Sequence, residues 1–179
     1  MLCRENTQCY MDRPKLKLQL RIPDIVLELI AFLATLAQVA LPVSFYDLLP
    51  DEIPRHYNAF GEPDAWAGKA IIWTLPAIGL FLYISLTILN RYPHIFNYPA
   101  KVTSENAARM YFSATRLIRA LKAIVACSFA YICYSTILTA LDRKDGLGDY
   151  FTVFFVGGIA LVLVYYVIII VKRGRKDAA

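Results

Sequence analysis

The side chains best suited to chemistry lie in one polar segment, residues 47–69. Carboxylates, an imidazole and an amide fall within fourteen residues: Asp51, Glu52, His56, Asn58, Glu62 and Asp64. Such a group can bind a cation, or a basic peptide through its acidic side chains. A histidine beside a carboxylate can also act as an acid or base, so an enzyme using His56 with Asp51 or Asp64 is the alternative.

The rest of this segment indicates a rigid connection between two larger elements. Its backbone is restricted by three prolines, Pro50, Pro54 and Pro63. Gly61 permits a positive φ angle, and the stretch from Asn58 to Asp64 is typical of a tight turn. One histidine is fewer than zinc sites usually have, and no nucleophile is specified near His56. We therefore assign no catalytic residues, no metal and no cofactor.

The elements that must position this segment are four apolar stretches. They cover residues 25–46, 70–89, 123–141 and 150–171. A helix needs about 20 residues to cross a hydrocarbon core of about 30 Å. Hydrophobic residues make up 58% of the chain and charged residues only 18%, which is unlike a soluble domain. The sequence predicts an all-α integral membrane protein, a four-helix bundle in contact with the lipid bilayer.

The distribution of Lys and Arg predicts the orientation of these spans. Fifteen of the 19 basic residues lie before the first span, between the second and third, or after the fourth. Because Lys and Arg are retained on the cytoplasmic side, both termini are predicted to be cytoplasmic and residues 47–69 and 142–149 to lie outside. His56 and His94 then lie on opposite sides and cannot share a metal. The basic residues are scattered at span ends, which argues against a nucleic-acid partner.

The chain divides by these spans into five parts. Residues 1–24 form a cytoplasmic tail, with Met1 or Met11 as alternative starts, and residues 25–90 hold the first two spans with the 47–69 loop. Residues 91–122 are a cytoplasmic loop that ends in an amphipathic helix. This helix is expected to lie on the inner leaflet or to run directly into span three. Residues 123–171 hold the last two spans, and residues 172–179 are a cytoplasmic tail.

Two polar side chains fall inside the first span. Glu28 lies near its cytoplasmic end and is expected to reach the headgroups. Gln38 is deeper and is expected to face another helix rather than lipid, because an amide in hydrocarbon needs a partner.

The segment from Leu49 to Lys69 resembles a known signature. The agreeing positions are Leu49, Pro50, Ile53, Pro54, His56, Asn58, Gly61, Pro63, Asp64, Trp66 and Lys69. This pattern is similar to that of the family catalogued as domain of unknown function 1648, where it joins the first two transmembrane helices. The resemblance covers roughly residues 25–90, and it makes these positions the candidate functional loop.

The resemblance also implies a function. The same domain forms the N-terminal part of proteins similar to the immunity protein against the sporulation-delaying toxin. The chain is thus expected to be a multi-pass protein of the bacterial inner membrane, which protects against or senses a secreted peptide through this loop. Residues 90–99 look more like a shorter, stand-alone branch of the family. The alternatives are the His56 enzyme and a structural subunit that binds another membrane protein.

Overall fold

The computed structural model describes residues 13–175. It is mainly helical, and the four long helices are α1 (Ile22–Phe45), α2 (Thr74–Leu89), α3 (Ala107–Ala140) and α4 (Phe151–Arg175). Between α1 and α2 lies a β-hairpin of two strands, β1 (Glu52–Tyr57) and β2 (Pro63–Gly68). Short 3₁₀ turns cover Tyr46–Leu48, Lys69–Trp73 and Pro93–Ile95. The choice between Met1 and Met11 lies outside the described residues.

The predicted fold class is confirmed. Four helical segments are long and apolar enough to cross a membrane: Ile22–Leu48, Lys69–Leu89, Ala107–Ala140 and Phe151–Arg173. The sequence did not predict the hairpin. Its two six-residue strands contain Pro54, Pro63 and Gly68. Proline and glycine are depleted in strands, so the local sequence favours a loop.

Helix α3 lies at the centre of the bundle and the other three helices pack around it. Its contact with α1 is the most extensive, and small side chains make it close, because Ala31, Ala123 and Ala126 form a buried cluster there. α2 and α4 both contact α3 but scarcely touch each other. We call the side with the hairpin the hairpin end, and the side where α1 begins and α4 ends the terminal end.

Helix α3 continues without a break from the predicted amphipathic segment into the third span. The segment therefore runs directly into span three, which is one of the two placements expected for it. Its apolar residues Ala107, Met110, Tyr111 and Ala114 are buried at the terminal end, where Ile170 of α4 packs against them. At 1.5 Å per residue, the helix is about 51 Å long. This length exceeds the thickness of the hydrocarbon core, so one end of the helix extends beyond the membrane.

The charged side of α3 also faces the bundle. Arg116 donates to both carboxylate oxygens of Asp24 in α1, at 2.7 and 3.0 Å. Arg119 and Lys122 donate to Glu28, at 3.2 and 2.6 Å. These five side chains form the ion-pair cluster. Glu28 was expected to reach the headgroups; instead it pairs with α3, because α1 and α3 are close enough for direct contact.

Gln38 faces α2, as predicted. Its side chain is fully buried against Gly79, where a Cβ atom would be closer than van der Waals contact to the amide of Gln38. Among the described residues, neither amide atom has a hydrogen-bond partner. The carbonyl of Gln38 has lost its helical donor because residue 42 is proline, and the thiol of Cys133 lies 3.8 Å from it.

Candidate functional site: the hairpin and the cleft beneath it

The two strands of the hairpin pair antiparallel with two irregularities. Pro54 lies opposite Trp66, His56 opposite Ala65, and Tyr57 opposite Pro63. Arg55 on one strand and Asp64 on the other are therefore extra residues without a direct partner. Bulges of this kind bend a strand and redirect its side chains.

The turn between the strands is built by Asn58 and Gly61, as the sequence predicts. The side-chain oxygen of Asn58 accepts the backbone N–H groups of Phe60 and Glu62, at 2.9 and 3.1 Å. Its amide nitrogen donates to the carboxylate of Glu62 at 2.8 Å. Gly61 has φ +82°, a conformation that favours glycine.

His56 and Asp64 are brought together by the two bulges. The Nδ1–H of His56 donates to Oδ1 of Asp64 at 2.6 Å, and both side chains are largely exposed, at 67% and 43%. Asp51 lies at the other end of the hairpin, where its carbonyl accepts the N–H of Lys69 at 2.9 Å. His56 follows Asp51 by five positions of extended chain, or about 16 Å. Of the two predicted partners of His56, only Asp64 is in place.

The hairpin is fixed to the helices along β1. Ile53 is fully buried in an apolar cluster with Leu49, Ile72, Cys133 and Ile137. The hydroxyl groups of Tyr57 and Thr136 lie 2.9 Å apart and share a hydrogen bond. Burial raises the pKa of Tyr57, so this hydroxyl stays protonated throughout the neutral pH range. The hairpin is therefore held rigidly on α3.

The tip of the hairpin is docked on the loop between α3 and α4. The carbonyl of Gly61 accepts the N–H of Leu147 at 2.7 Å. A Cβ atom on Gly61 would lie 2.7 Å from the carbonyl oxygen of Gly148, so this contact requires glycine. The same loop is bound to α3, since Lys144 donates to Tyr131 at 2.9 Å and to Ser135 at 2.7 Å.

A cleft of about 360 Å³ lies between the hairpin and the helix ends. Residues 54–58 of β1 and the turn form one wall. The other walls are residues 71–75 before and within α2, Ile132 and Thr136 of α3, and Leu147, Phe151 and Thr152 at the start of α4. Most of this lining is apolar, whereas Arg55 and the His56–Asp64 pair provide charge at the rim. The cleft can hold an apolar group of a ligand whose polar part stays at the rim.

The remaining predicted residues have structural roles or are exposed. Pro54 is buried beside Ile53, whereas Pro50 is exposed and Pro63 is half-buried. The ammonium group of Lys69 lies over the ring of Tyr46, 5.2 Å from its centre. Trp66 is 48% exposed on β2, as an interfacial aromatic would be.

The charge of the hairpin end is negative. Residues 47–69 contain five Asp and Glu against two Lys and Arg, and residues 142–149 contain three against two, a formal charge of −4. Within residues 13–175, no group of three or more His, Cys, Asp or Glu side chains is placed to hold a metal ion.

The sequence did not identify the residues that close the site from the other half of the chain. These are Thr136, Leu147, Phe151 and the glycines of the second loop. The signal that could have found them is Gly146-Leu147-Gly148, because two nearby glycines in a short loop indicate positive φ angles or close backbone contact. Gly146 and Gly148 do have positive φ angles, of 63° and 88°.

Four apolar helices and an ordered hairpin at one end define the class as a membrane protein. Residues 33–80 match the family model described as a domain of unknown function, DUF1648. The matched region runs from the middle of α1 to the first turns of α2 and includes the entire hairpin. Residues 33–80 are thus similar to this domain, which confirms the resemblance found in the sequence.

One curated relative matches part of the chain. It is a protein of Archaeoglobus fulgidus described as an uncharacterized protein, 36% identical over 67 residues. The match covers 33% of this chain and 37% of the relative, so the chain spans little more than a third of that protein. No solved structure matches the chain.

Proposed function

We propose that the hairpin end binds a secreted cationic, amphipathic peptide, and that the protein protects against or senses this peptide at the membrane surface. The observation that carries the proposal is the cleft, which combines apolar walls with the His56–Asp64 pair at its rim. A ligand with an apolar face and polar groups matches this arrangement. The distribution of Lys and Arg supports placing the hairpin outside the cell.

Charge favours a cationic ligand. The formal charge of −4 at the hairpin end attracts basic peptides and raises their rate of association. Asp64 is exposed enough to meet a ligand cation while it remains bonded to His56. Because exposed charges are screened by salt, binding should weaken as the ionic strength rises.

The experiment measures binding of a fluorescein-labelled 18-residue Leu/Lys amphipathic peptide to the protein in phosphatidylcholine nanodiscs. The cleft is filled by Thr152→Trp, and the matched control is Val153→Trp, at the adjacent residue, which does not line the cleft and is 67% exposed. The Trp side chain should exclude one leucine of the peptide from the cleft. Loss of the burial of one Leu-sized side chain should weaken binding by about 1.5–3 kcal/mol, or roughly 10–150-fold.

The expected order is wild type and Val153→Trp binding alike, with Thr152→Trp much weaker. A peptide in which Glu replaces each Lys should not bind. Equal binding to empty nanodiscs, or unchanged binding by Thr152→Trp, would contradict the proposal. In cells that express the chain, His56→Ala and Asp64→Ala should each remove protection from the cationic peptide without lowering the amount of protein.

The His56–Asp64 bond favours a second candidate, a membrane enzyme. A carboxylate that accepts from Nδ1–H orients the ring and leaves Nε2 as a base, as in hydrolases. Within the described residues, no Ser, Thr or Cys side chain is hydrogen-bonded to His56, so water would be the nucleophile. Cleavage of the Leu/Lys peptide by wild type but not by Asp64→Asn, followed by mass spectrometry, would favour the enzyme.

A further inference from the structure

We propose that the cleft opens sideways, between α2 and α4, to the acyl chains of the bilayer, and that its ligand reaches it from the membrane rather than from water. This inference rests on the proposed function and specifies the form of the ligand. The ligand would be a peptide already inserted in the outer leaflet, with its apolar side chains among the acyl chains.

The first observation is that the hairpin wall of the cleft is fixed in place. β1 forms this wall, and its position is fixed by the Tyr57–Thr136 bond and by the buried side chain of Ile53. The tip is fixed as well, because Gly61 is bonded to Leu147 of the second loop. A ligand from the aqueous phase would have to displace these contacts or pass the charged rim.

The second observation is that the two helices beside the cleft are not packed together. Among the described residues, α2 and α4 each contact α3 but scarcely touch each other. Leu75 of α2 and Thr152 of α4 line the cleft, and both belong to segments apolar enough to cross the membrane. The gap between these helices therefore faces the lipid.

The third observation is the character of the helix surfaces next to this gap. On α4, Val153, which follows the cleft residue Thr152, is 67% exposed, and on α2, Ile78 is 45% exposed. Large apolar side chains with this exposure belong in contact with acyl chains. A ligand that leaves the lipid for the cleft exchanges one apolar environment for another, and its polar groups gain Arg55 and the His56–Asp64 pair at the rim.

The test uses spin labels in lipid bilayers and measures collisions with oxygen, which concentrates in the acyl chains, and with a water-soluble nickel chelate. Single cysteines are introduced as Thr152→Cys, Val153→Cys and Phe60→Cys, with the four native cysteines replaced by alanine. Val153 is the control for lipid, and Phe60, which is 70% exposed at the hairpin tip, is the control for water.

The oxygen-to-nickel collision ratio at residue 152 should match that at residue 153 and exceed that at residue 60. The Leu/Lys peptide should reduce oxygen collisions at residue 152 and leave residue 153 unchanged. A nickel-accessible residue 152 would overturn the lateral opening, and protection of that residue by the peptide would still support the proposed function. A lipid-accessible residue 152 that the peptide does not protect would refute the proposed function and leave the lateral opening standing.

Discussion

The ion-pair cluster at the terminal end allows a sharp prediction about stability. Lys122 is 2% exposed, and its ammonium group donates to Glu28 at 2.6 Å and to Thr87 at 2.8 Å. It also lies 4.6 Å from the centre of the Tyr83 ring. One cation thus joins α1, α2 and α3, and removing either member of its pair should loosen all three.

The two single changes should differ in size. Glu28→Gln leaves the ammonium group of Lys122 buried without a carboxylate, which should destabilise the protein by about 3–5 kcal/mol. Lys122→Met keeps most of the volume, and Glu28 stays partly hydrated, at 27% side-chain exposure, and bonded to Arg119 at 3.2 Å. The effect of Lys122→Met should be about 1.5–3 kcal/mol, the net contribution of a hydrogen bond to a charged group.

The assay is equilibrium unfolding by SDS in mixed micelles, followed by circular dichroism. A difference of 3 kcal/mol corresponds to roughly a 150-fold change in the unfolding equilibrium. The control is Lys172→Met, an exposed cation at the same end, which should stay within about 0.5 kcal/mol of wild type. The destabilisation of the double variant, Glu28→Gln with Lys122→Met, should be smaller than the sum of the two single effects. The difference should be about 0.5–3 kcal/mol. A Glu28→Gln protein as stable as wild type, or less affected than Lys122→Met, would refute the reasoning.

Two further predictions concern glycines. Gly61→Ala should destabilise the hairpin by about 1–3 kcal/mol, since it places a methyl group against a backbone carbonyl at a positive φ angle. Hydrogen exchange of hairpin amides measures this, and Gly157→Ala, where a methyl group meets nothing within 4 Å, should leave those amides unchanged. Gly79→Ala should lower the thermal stability by forcing the amide of Gln38 to move, and adding Gln38→Ala should restore much of the loss. If the double variant melts below the single variant, the contact between these residues is not the cause.

The four spans could be predicted from the sequence because length and composition alone decide whether a helix can cross a membrane. The predicted burial of Gln38 followed from the same principle, since an amide avoids lipid. The turn at Asn58 and Gly61 was predicted from local chemistry, and the structure contains it. The hairpin strands were missed because proline and glycine argue against strands locally, whereas burial of Ile53 under the helices outweighs that preference.

The sequence by itself therefore determined the membrane class, the position of the candidate functional loop and the residues that the loop contains. Only the tertiary structure decided that His56 pairs with Asp64 and not with Asp51, because two bulges set the register. It also decided where the cleft lies, because the bond between Tyr57 and Thr136 joins residues 79 positions apart. The contact between Tyr57 and Thr136 depends on how the hairpin packs on α3, which no local pattern of residues encodes.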